Sequence, residues 1–300
     1  MAENSTAATY TASYIGRFAP SPTGPLHFGS LFAAIASYVD ARSNNGLWLL
    51  RMEDLDPPRE PQGAAEQILQ QLADFSLHWD GEILYQSTRL PAYDAAITAL
   101  QENDLCFYCD CTRPQIKAMG SIYNGHCRSR NDVPEEGAAL RVMTEATELA
   151  FEDAICGHFA QNIERDVGDF VIRRKDGLHA YQLAVVVDDA FQNISHVVRG
   201  TDLLDSTPRQ IYLQQKLGFA TPTYCHVPVL QNSKGQKLSK QHFAKPIKSE
   251  EAAAMTHRCL QLLGQEPPDP LAKEKPEQQL EWAAEHWRIQ AVPKLANIPL

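Results

Sequence analysis

Nowhere does this chain of 300 residues hold a run of about 18 consecutive apolar residues, which argues against a membrane-spanning helix. Its first stretch, MAENSTAATYTASY, lacks the basic and apolar regions of a secretory signal. A cytoplasmic location is therefore expected, with residues 1–13 as a polar, disordered lead. Positive charge is scarce: 27 Lys and Arg stand against 37 Asp and Glu, a net charge of −10. That excludes broad nonspecific attraction to nucleic acid but not a local basic groove. The candidate basic spots are Arg113, Lys117, Arg128 and Arg130, and the run Arg173, Arg174, Lys175; alone they read as solvated surface charge. No internal repeat is present. Core-forming residues are not scarce, with 44% apolar against 21% charged, ordinary for one large domain or two modest ones. The seven cysteines should stay reduced in the cytoplasm. Cys106, Cys109, Cys111 and Cys127 fall in one short region, while Cys156, Cys225 and Cys259 are scattered and read as small buried apolar residues.

Periodicity gives an alternating pattern at first. Residues 15–20 read as a strand entering a turn, 31–42 as a helix stopped by Asn44, Asn45 and Gly46, and 47–56 as a buried strand emerging onto acidic residues. Amphipathic helices follow at 64–77 and 90–103. Such alternation implies parallel strands with crossovers. From Cys106 to about Arg165 the pattern breaks into a cysteine-rich, loop-rich stretch. A β-rich pattern returns over 169–191, with KDG as a hairpin turn, then a strand at 196–204. Residues 206–218 read as a helix capped by Ser206 or Thr207, with Pro208 in its first turn. Residues 249–290 look helical and 291–300 irregular. The expected fold is an α/β nucleotide fold in two halves, 14–105 and 166–245, split by an insertion at 106–165 and followed by a short helical region at 246–300.

Residues 17–31, RFAPSPTGPLHFGSL, place an irregular Pro/Gly turn between a strand and a helix N-terminus. Free N–H groups and the positive end of a helix dipole make that junction an anion site. Gly24 and Gly29 permit close approach of a ligand, and His27 adds a side-chain donor. About 200 residues later, SKGQKLSKQ (233–241) is a glycine-containing loop with Lys234, Lys237 and Lys240. As a pair, His27-Phe28-Gly29-Ser30 and Lys237-Leu238-Ser239-Lys240-Gln241 resemble the HIGH and KMSKS signatures of class I aminoacyl-tRNA synthetases.

That resemblance implies a Rossmann-type parallel sheet that binds ATP with magnesium. It implies an ATP site at His27, Gly29, Ser30, Lys237, Ser239 and Lys240, with His27 and Lys240 as the catalytic pair. GRFAPSPTGPLHFGSL, LRMEDLDPPRE, YQLAVVVDD and VVRGTDLL narrow the likeness to the glutamyl-tRNA synthetase core, over about 14–245. The implied glutamate residues are Arg17, Ala19, Ser21, Glu53, Tyr181 and Arg199. Two carboxylates call for arginines, which pair with them bidentately, and an ammonium calls for a carboxylate such as Glu53. Two residues depart from the signatures: Ser30 replaces the second histidine of HIGH and Gln241 the final serine of KMSKS.

After Gln241 only 59 residues remain, 300 minus 241, too few for the usual anticodon-binding region. This shortened form resembles the glutamyl-Q branch of the family. The resemblance implies activation of L-glutamate with ATP, independent of tRNA, and its transfer to queuosine in the anticodon stem-loop of tRNA(Asp). A monomer is expected, with no membrane partner. The alternatives are a truncated synthetase that acylates a tRNA 3′ end and a non-catalytic glutamate- or RNA-binding relative. Cys109, Cys111 and Cys127 offer three thiolates where tetrahedral zinc takes four ligands, and by spacing Cys106, His126 and Tyr123 compete for the fourth place. The resemblance implies Cys109, Cys111, Tyr123 and Cys127 around one structural Zn2+.

Overall fold

The computed structural model describes residues 12–120, 122–130, 132–134, 136–238 and 245–300. Most of the expected polar lead, and Ser239, Lys240 and Gln241 of the second signature, lie outside the described residues. In chain order the elements are β1 (Ile15–Phe18), α1 (Phe28–Ser43), β2 (Leu47–Met52), α2 (Ala64–Asp74), β3 (Leu84–Tyr85), α3 (Leu90–Glu102) and β4 (Cys106–Cys109). Next come α4 (Arg113–Ala118), β5 (Ala139–Val142), β6 (Glu148–Asp153), β7 (Gly157–Asn162), β8 (Phe170–Arg173), α5 (Tyr181–Phe191) and β9 (His196–Gly200). The chain ends with α6 (Thr207–Leu217), β10 (Thr223–Val227), β11 (Val229–Gln231), α7 (Ala252–Leu262), α8 (Pro276–His286) and β12 (Asn297–Pro299).

The fold is α/β with a parallel sheet. Strands β1, β2 and β3 pair in parallel, as do β9, β10 and β6. The Ser195 N–H donates to the Ile15 carbonyl at 3.0 Å and brings the two groups side by side at β1 and β9. Strand β2 shows why the sheet is closed on both faces. Trp48, Leu50 and Met52 pack into one core with α1, α2, α7 and α8, while Leu49 packs into another with α3, α5 and α6. This two-sided burial is the usual fate of a parallel strand and explains its continuous apolar run.

Three local readings need correction. Residues 181–191 form the helix α5, not a strand. Val185–Val187 favour β structure in isolation, but a short apolar run has no periodicity to separate strand from buried helix. Here Leu183–Asp189 are all buried, so the helix is covered on most of its circumference. The tail is not wholly irregular, because Val229–Gln231 pair in parallel with Asn297–Pro299. Ser206 holds the N-cap position of α6 but makes no capping bond with its side chain, and the Thr207 hydroxyl lies between His226 Nε2 at 3.2 Å and the Leu203 carbonyl at 3.4 Å instead. The KDG turn does form, with Gly177 at φ +85° and an isolated bridge between Arg173 and His179.

Strands β4 and β5 of the stretch 106–165 pair with β8, from within 166–245, in a separate antiparallel sheet. Strand β6 is not part of it: β6 pairs antiparallel with β7 and joins the parallel sheet through the pair Tyr224–Asp153. Asp153 therefore belongs to the catalytic sheet although it lies within 106–165.

Candidate active site

Ligands of open α/β sheets bind beyond the carboxyl ends of the strands, where the strand order reverses. At that position, between β1 and β9, lies a cavity of about 350 Å³ lined by Arg17, Ala19, Ser21, Glu53, Tyr181 and Arg199. All six residues expected around glutamate thus meet in one chamber. Arg17 projects from β1, and its Nε–H donates to Asp189 Oδ1 at 3.2 Å. Asp189, on α5, also accepts from Arg51 Nη2 at 2.7 Å. Burial pushes the Asp189 carboxyl up, but Arg17 and Arg51 outweigh it and hold the group below its ordinary range. Among the described residues Asp189 is the only hydrogen-bond partner of the Arg17 side chain, so both its Nη groups are left to the cavity. Glu53 lies 3.7 Å from Arg51 Nη2. Burial raises its carboxyl to about 7 against the pull of Arg51 and Arg17. The Tyr181 phenol is likewise pushed up by burial.

Arg199, at the end of β9, is held differently. Its Nε–H donates to His226 Nε2 at 3.0 Å, Nη1 to Gln210 Oε1 at 2.8 Å, and Nη2 to Thr207 Oγ1 at 2.8 Å and the Leu203 carbonyl at 3.4 Å. Four of its five N–H bonds are engaged by protein, which leaves one on Nη1 for a ligand. The bidentate fork expected of both arginines is thus open at Arg17 and reduced to a single donor at Arg199.

A second chamber of about 560 Å³ opens from the first and shares Ala19, Ser21 and Gly200 with it. His27, Gly29, Ser30 and Lys237 line it. His27 is the N-cap of α1 and its Nδ1 accepts the Ser30 N–H at 3.2 Å. The Ser30 hydroxyl sits 3.2 Å from His27 Nε2. A Cβ on Gly29 would meet the His27 ring at 3.2 Å, so glycine here keeps the turn tight. Lys237 pairs with Asp202. The turn is stitched to the segment beyond the lysine loop: Gln71 accepts the Leu26 N–H at 2.7 Å and donates to the Ile247 carbonyl at 3.1 Å, and Ile247 N–H donates to Leu26 at 3.0 Å.

In the insertion the sulfurs of Cys109, Cys111 and Cys127 lie within 4.8 Å of one another. A tetrahedral ion bound at about 2.3 Å needs sulfurs roughly 3.8 Å apart, so the donor set and its spacing fit zinc. Of the three competitors for the fourth place, Tyr123 alone adjoins them. Its hydroxyl is 4.0 Å from Cys111 Sγ and accepts the Cys127 N–H at 2.8 Å. Cys106 packs into the main core, His126 is exposed, and neither belongs to the cluster. Burial raises the Cys109 thiol, but hydrogen bonds from Tyr123 and Arg141 outweigh it and bring the group below its ordinary range. Of the scattered cysteines, Cys225 and Cys259 are buried as expected, but Cys156 is exposed.

Four of the seven candidate basic residues are paired with carboxylates, Arg173 with Asp94 at 3.8 Å among them. Arg128 binds Asp169, Arg130 binds Asp110 and Asp132, and Arg174 binds Asp176. Sequence reasoning missed the residues behind the first chamber: Asp189, Arg51, Gln192, His226 and Asp153. Only the acidic pair Asp188-Asp189 closing an apolar run carried a visible signal, since a charge there must find a buried partner.

Residues 15–267 match the family model described as class I tRNA synthetases (E and Q), catalytic domain. The chain is 49% identical over 289 residues to the glutamyl-Q tRNA(Asp) synthetase of Pseudomonas aeruginosa, covering 96% of this chain and 98% of that one. It is 48% identical over 288 residues to the protein of that name from Pseudomonas putida, covering 96% of each. In fold it is similar to the glutamate-tRNA synthetase of Elizabethkingia anophelis, with a TM-score of 0.79 at 24% identity, over 96% of this chain and 68% of that one. No helix among the described residues is long and apolar enough to cross a membrane. With its parallel α/β sheet, its matched catalytic domain and relatives alike over nearly their whole length, the chain belongs to the glutamyl-Q tRNA(Asp) synthetase family, ligases within the class I tRNA synthetases.

Proposed function

We propose that this ligase activates L-glutamate with ATP and transfers the glutamyl group to queuosine in the anticodon stem-loop of tRNA(Asp). The observation that carries the reading is the connected pair of chambers, one with two arginines opposite a carboxylate, the other at a helix N-terminus. The names borne by the relatives at 48–49% identity support the nucleic-acid partner. In the first chamber the Nη groups of Arg17 clamp one carboxylate, Arg199 directs its remaining N–H at the other, Glu53 takes the ammonium, and Tyr181 packs beside the methylenes. Ala19 and Ser21 form the wall shared with the nucleotide.

In the second chamber the N-terminus of α1 and Gly29 cradle phosphate oxygens. With Nδ1 accepting the Ser30 N–H, the His27 ring proton lies on Nε2, where a phosphate oxygen would share it with the Ser30 hydroxyl at 3.2 Å. Lys237 lines the same site, and the second signature assigns Ser239 and Lys240 to the same work, with Lys240 neutralising the charge that develops at phosphorus. The α-carboxylate attacks the α-phosphorus in line. Pyrophosphate leaves, and a ring hydroxyl of queuosine then displaces AMP from the mixed anhydride. Magnesium enters with ATP. The enzyme's own work is positioning and charge stabilisation.

Cys109, Cys111, Tyr123 and Cys127 would hold zinc as a staple for a segment with little core of its own. About one zinc per purified chain is expected by metal analysis. Cys127→Ser should lose the metal and melt at lower temperature, and a metal-free wild type that melts normally would leave free thiols instead.

The test of the function is to glutamylate tRNA(Asp) with labelled glutamate, with and without queuosine, digest it with nuclease and locate the label. Label on the anticodon fragment, and only when queuosine is present, is expected. Label on the 3′-terminal adenosine would overturn the reading in favour of 3′-end acylation.

A further inference from the structure

Behind Arg199 stands a buried relay that the reaction described above does not use. His226, on β10, is fully buried, and its Nδ1 lies 2.6 Å from Asp153 Oδ2. The other oxygen of Asp153 accepts the N–H groups of Ile155, Cys156 and His226 at 3.0, 2.8 and 3.2 Å. A carboxylate so surrounded by donors is ionised, and it lies below its ordinary range: burial raises it, but the bonds from His226 and the backbone outweigh that. His226 Nδ1 must therefore carry a hydrogen. His226 itself is kept neutral by burial and by the neighbouring Arg199 charge. The ring proton is thus on Nδ1, which leaves Nε2 as an acceptor facing Arg199 Nε at 3.0 Å. Tyr224 stacks near-parallel to the ring, 6.2 Å between centroids and 13° between planes, and fixes its orientation.

We propose that His226, oriented by Asp153, is a positioning residue for glutamate: it fixes the Arg199 guanidinium so that one Nη1 N–H points into the amino-acid chamber. An unrestrained arginine would have to lose its rotamer freedom on binding, whereas Arg199 has lost it on folding. The arrangement also sets a polarity requirement. Only a group that accepts at the Nε2 position satisfies Arg199, and an apolar side chain there leaves a buried N–H without a partner. Asp153, which locks the tautomer, comes from the stretch between the two halves of the catalytic sheet.

The inference rests on Arg199 acting as a carboxylate ligand, so the experiment separates the two. ATP–pyrophosphate exchange gives KM for glutamate and for ATP in the wild type, Arg199→Gln, His226→Leu, His226→Gln and Thr207→Val, each checked by thermal melting. His226→Leu should raise the glutamate KM about tenfold or more, the usual effect of losing a hydrogen bond to a charged group, with the ATP KM unchanged. His226→Gln, whose amide oxygen can reach the former Nε2 position, should recover most of that loss. If Arg199→Gln raises the glutamate KM and a folded His226→Leu does not, the relay is overturned and the site reading stands. Equal rises for glutamate and ATP, or no rescue by glutamine, also overturn the relay. If Arg199→Gln leaves the glutamate KM unchanged, the reading of Arg199 falls and the relay with it. Should His226→Leu fail to melt cooperatively, the near-isosteric Thr207→Val decides, because the Thr207 hydroxyl both accepts from Arg199 Nη2 at 2.8 Å and lies 3.2 Å from His226 Nε2. A few-fold rise in the glutamate KM alone is then expected, and no rise overturns the proposal.

Discussion

In the first chamber Arg17 leans on Asp189 and Arg199 on His226, both from buried neighbours on other elements. The second chamber offers mainly backbone: a tight turn, the first N–H groups of α1, and His27 bound to its own helix through Ser30. The first is built to recognise a fixed arrangement of charges. Its desolvation cost is met on folding by ion pairs already in place. The second suits phosphates, whose oxygens are satisfied by any convergent set of N–H donors. One chamber therefore depends on which side chains are present, while the other adds to Lys237 a cradle set by where the main chain runs.

The sharpest way to break this contrast is Arg17→Gln. It removes the open fork while leaving Asp189 paired with Arg51. The glutamate KM should rise about 10³-fold, at the level of losing one partner of a buried charge pair, with the ATP KM unchanged in the same exchange assay. If both constants move together, the chambers do not act separately. Lys240→Ala is the counterpart on the nucleotide side. Adenylate formation in single turnover should slow by about 10²-fold or more, the effect of one electrostatic donor, while glutamate binding by calorimetry stays intact. An unchanged rate would remove Lys240 from the site.

Glu53 gives a smaller, pH-dependent effect. Its carboxyl is raised to about 7, so it is largely protonated below that pH and ionised above it. Glutamate affinity should climb by up to about tenfold per pH unit on the way to 7 and then level off, and Glu53→Gln should flatten the profile. In the unliganded protein the sign for stability is opposite. The folded state keeps a proton that the unfolded chain releases, so stability falls as pH rises from the ordinary carboxyl range towards 7. A flat wild-type affinity profile would separate Glu53 from the ammonium. The smallest effect is expected of Gly29→Ala, whose Cβ would press on the His27 ring at 3.2 Å. The ATP KM should rise a few-fold and the glutamate KM stay constant; a change in glutamate binding would show that the turn serves both chambers.

The same contrast explains what could be read from the sequence. The turn that floors the second chamber is contiguous, Pro20 to Ser30, and its chemistry is visible as Pro, Gly and a capping residue in a row, while the other wall comes from residues 200–238. Arg17, Glu53 and Arg199 were legible only through the family likeness, because a charged residue at a strand end is as readily a structural ion pair as a ligand. Their supports were not. Asp189 sits 172 positions from Arg17, and Asp153 lies 73 from His226. No local pattern marks two residues as partners when only the fold brings them together. Helix α5 failed for a related reason: three successive valines state a local preference, and burial on most sides overrides it. The fourth place at the sulfur cluster stayed open on spacing alone, because Cys106 and Cys109 share a strand but face different cores.

Strand β6 bears on how modular such an enzyme is. Drawn as a linear diagram, residues 106–165 invite removal to make a minimal catalytic core. Yet Glu148–Asp153 run within that stretch and end on the carboxylate that seats His226. A deletion designer who cut at the diagram's edges would leave the amino-acid chamber with every lining residue intact and the histidine behind one arginine without its anchor. A graft of this pocket into another scaffold must carry β6 with it, and the shortest transplantable unit is therefore set by the sheet rather than by the lining.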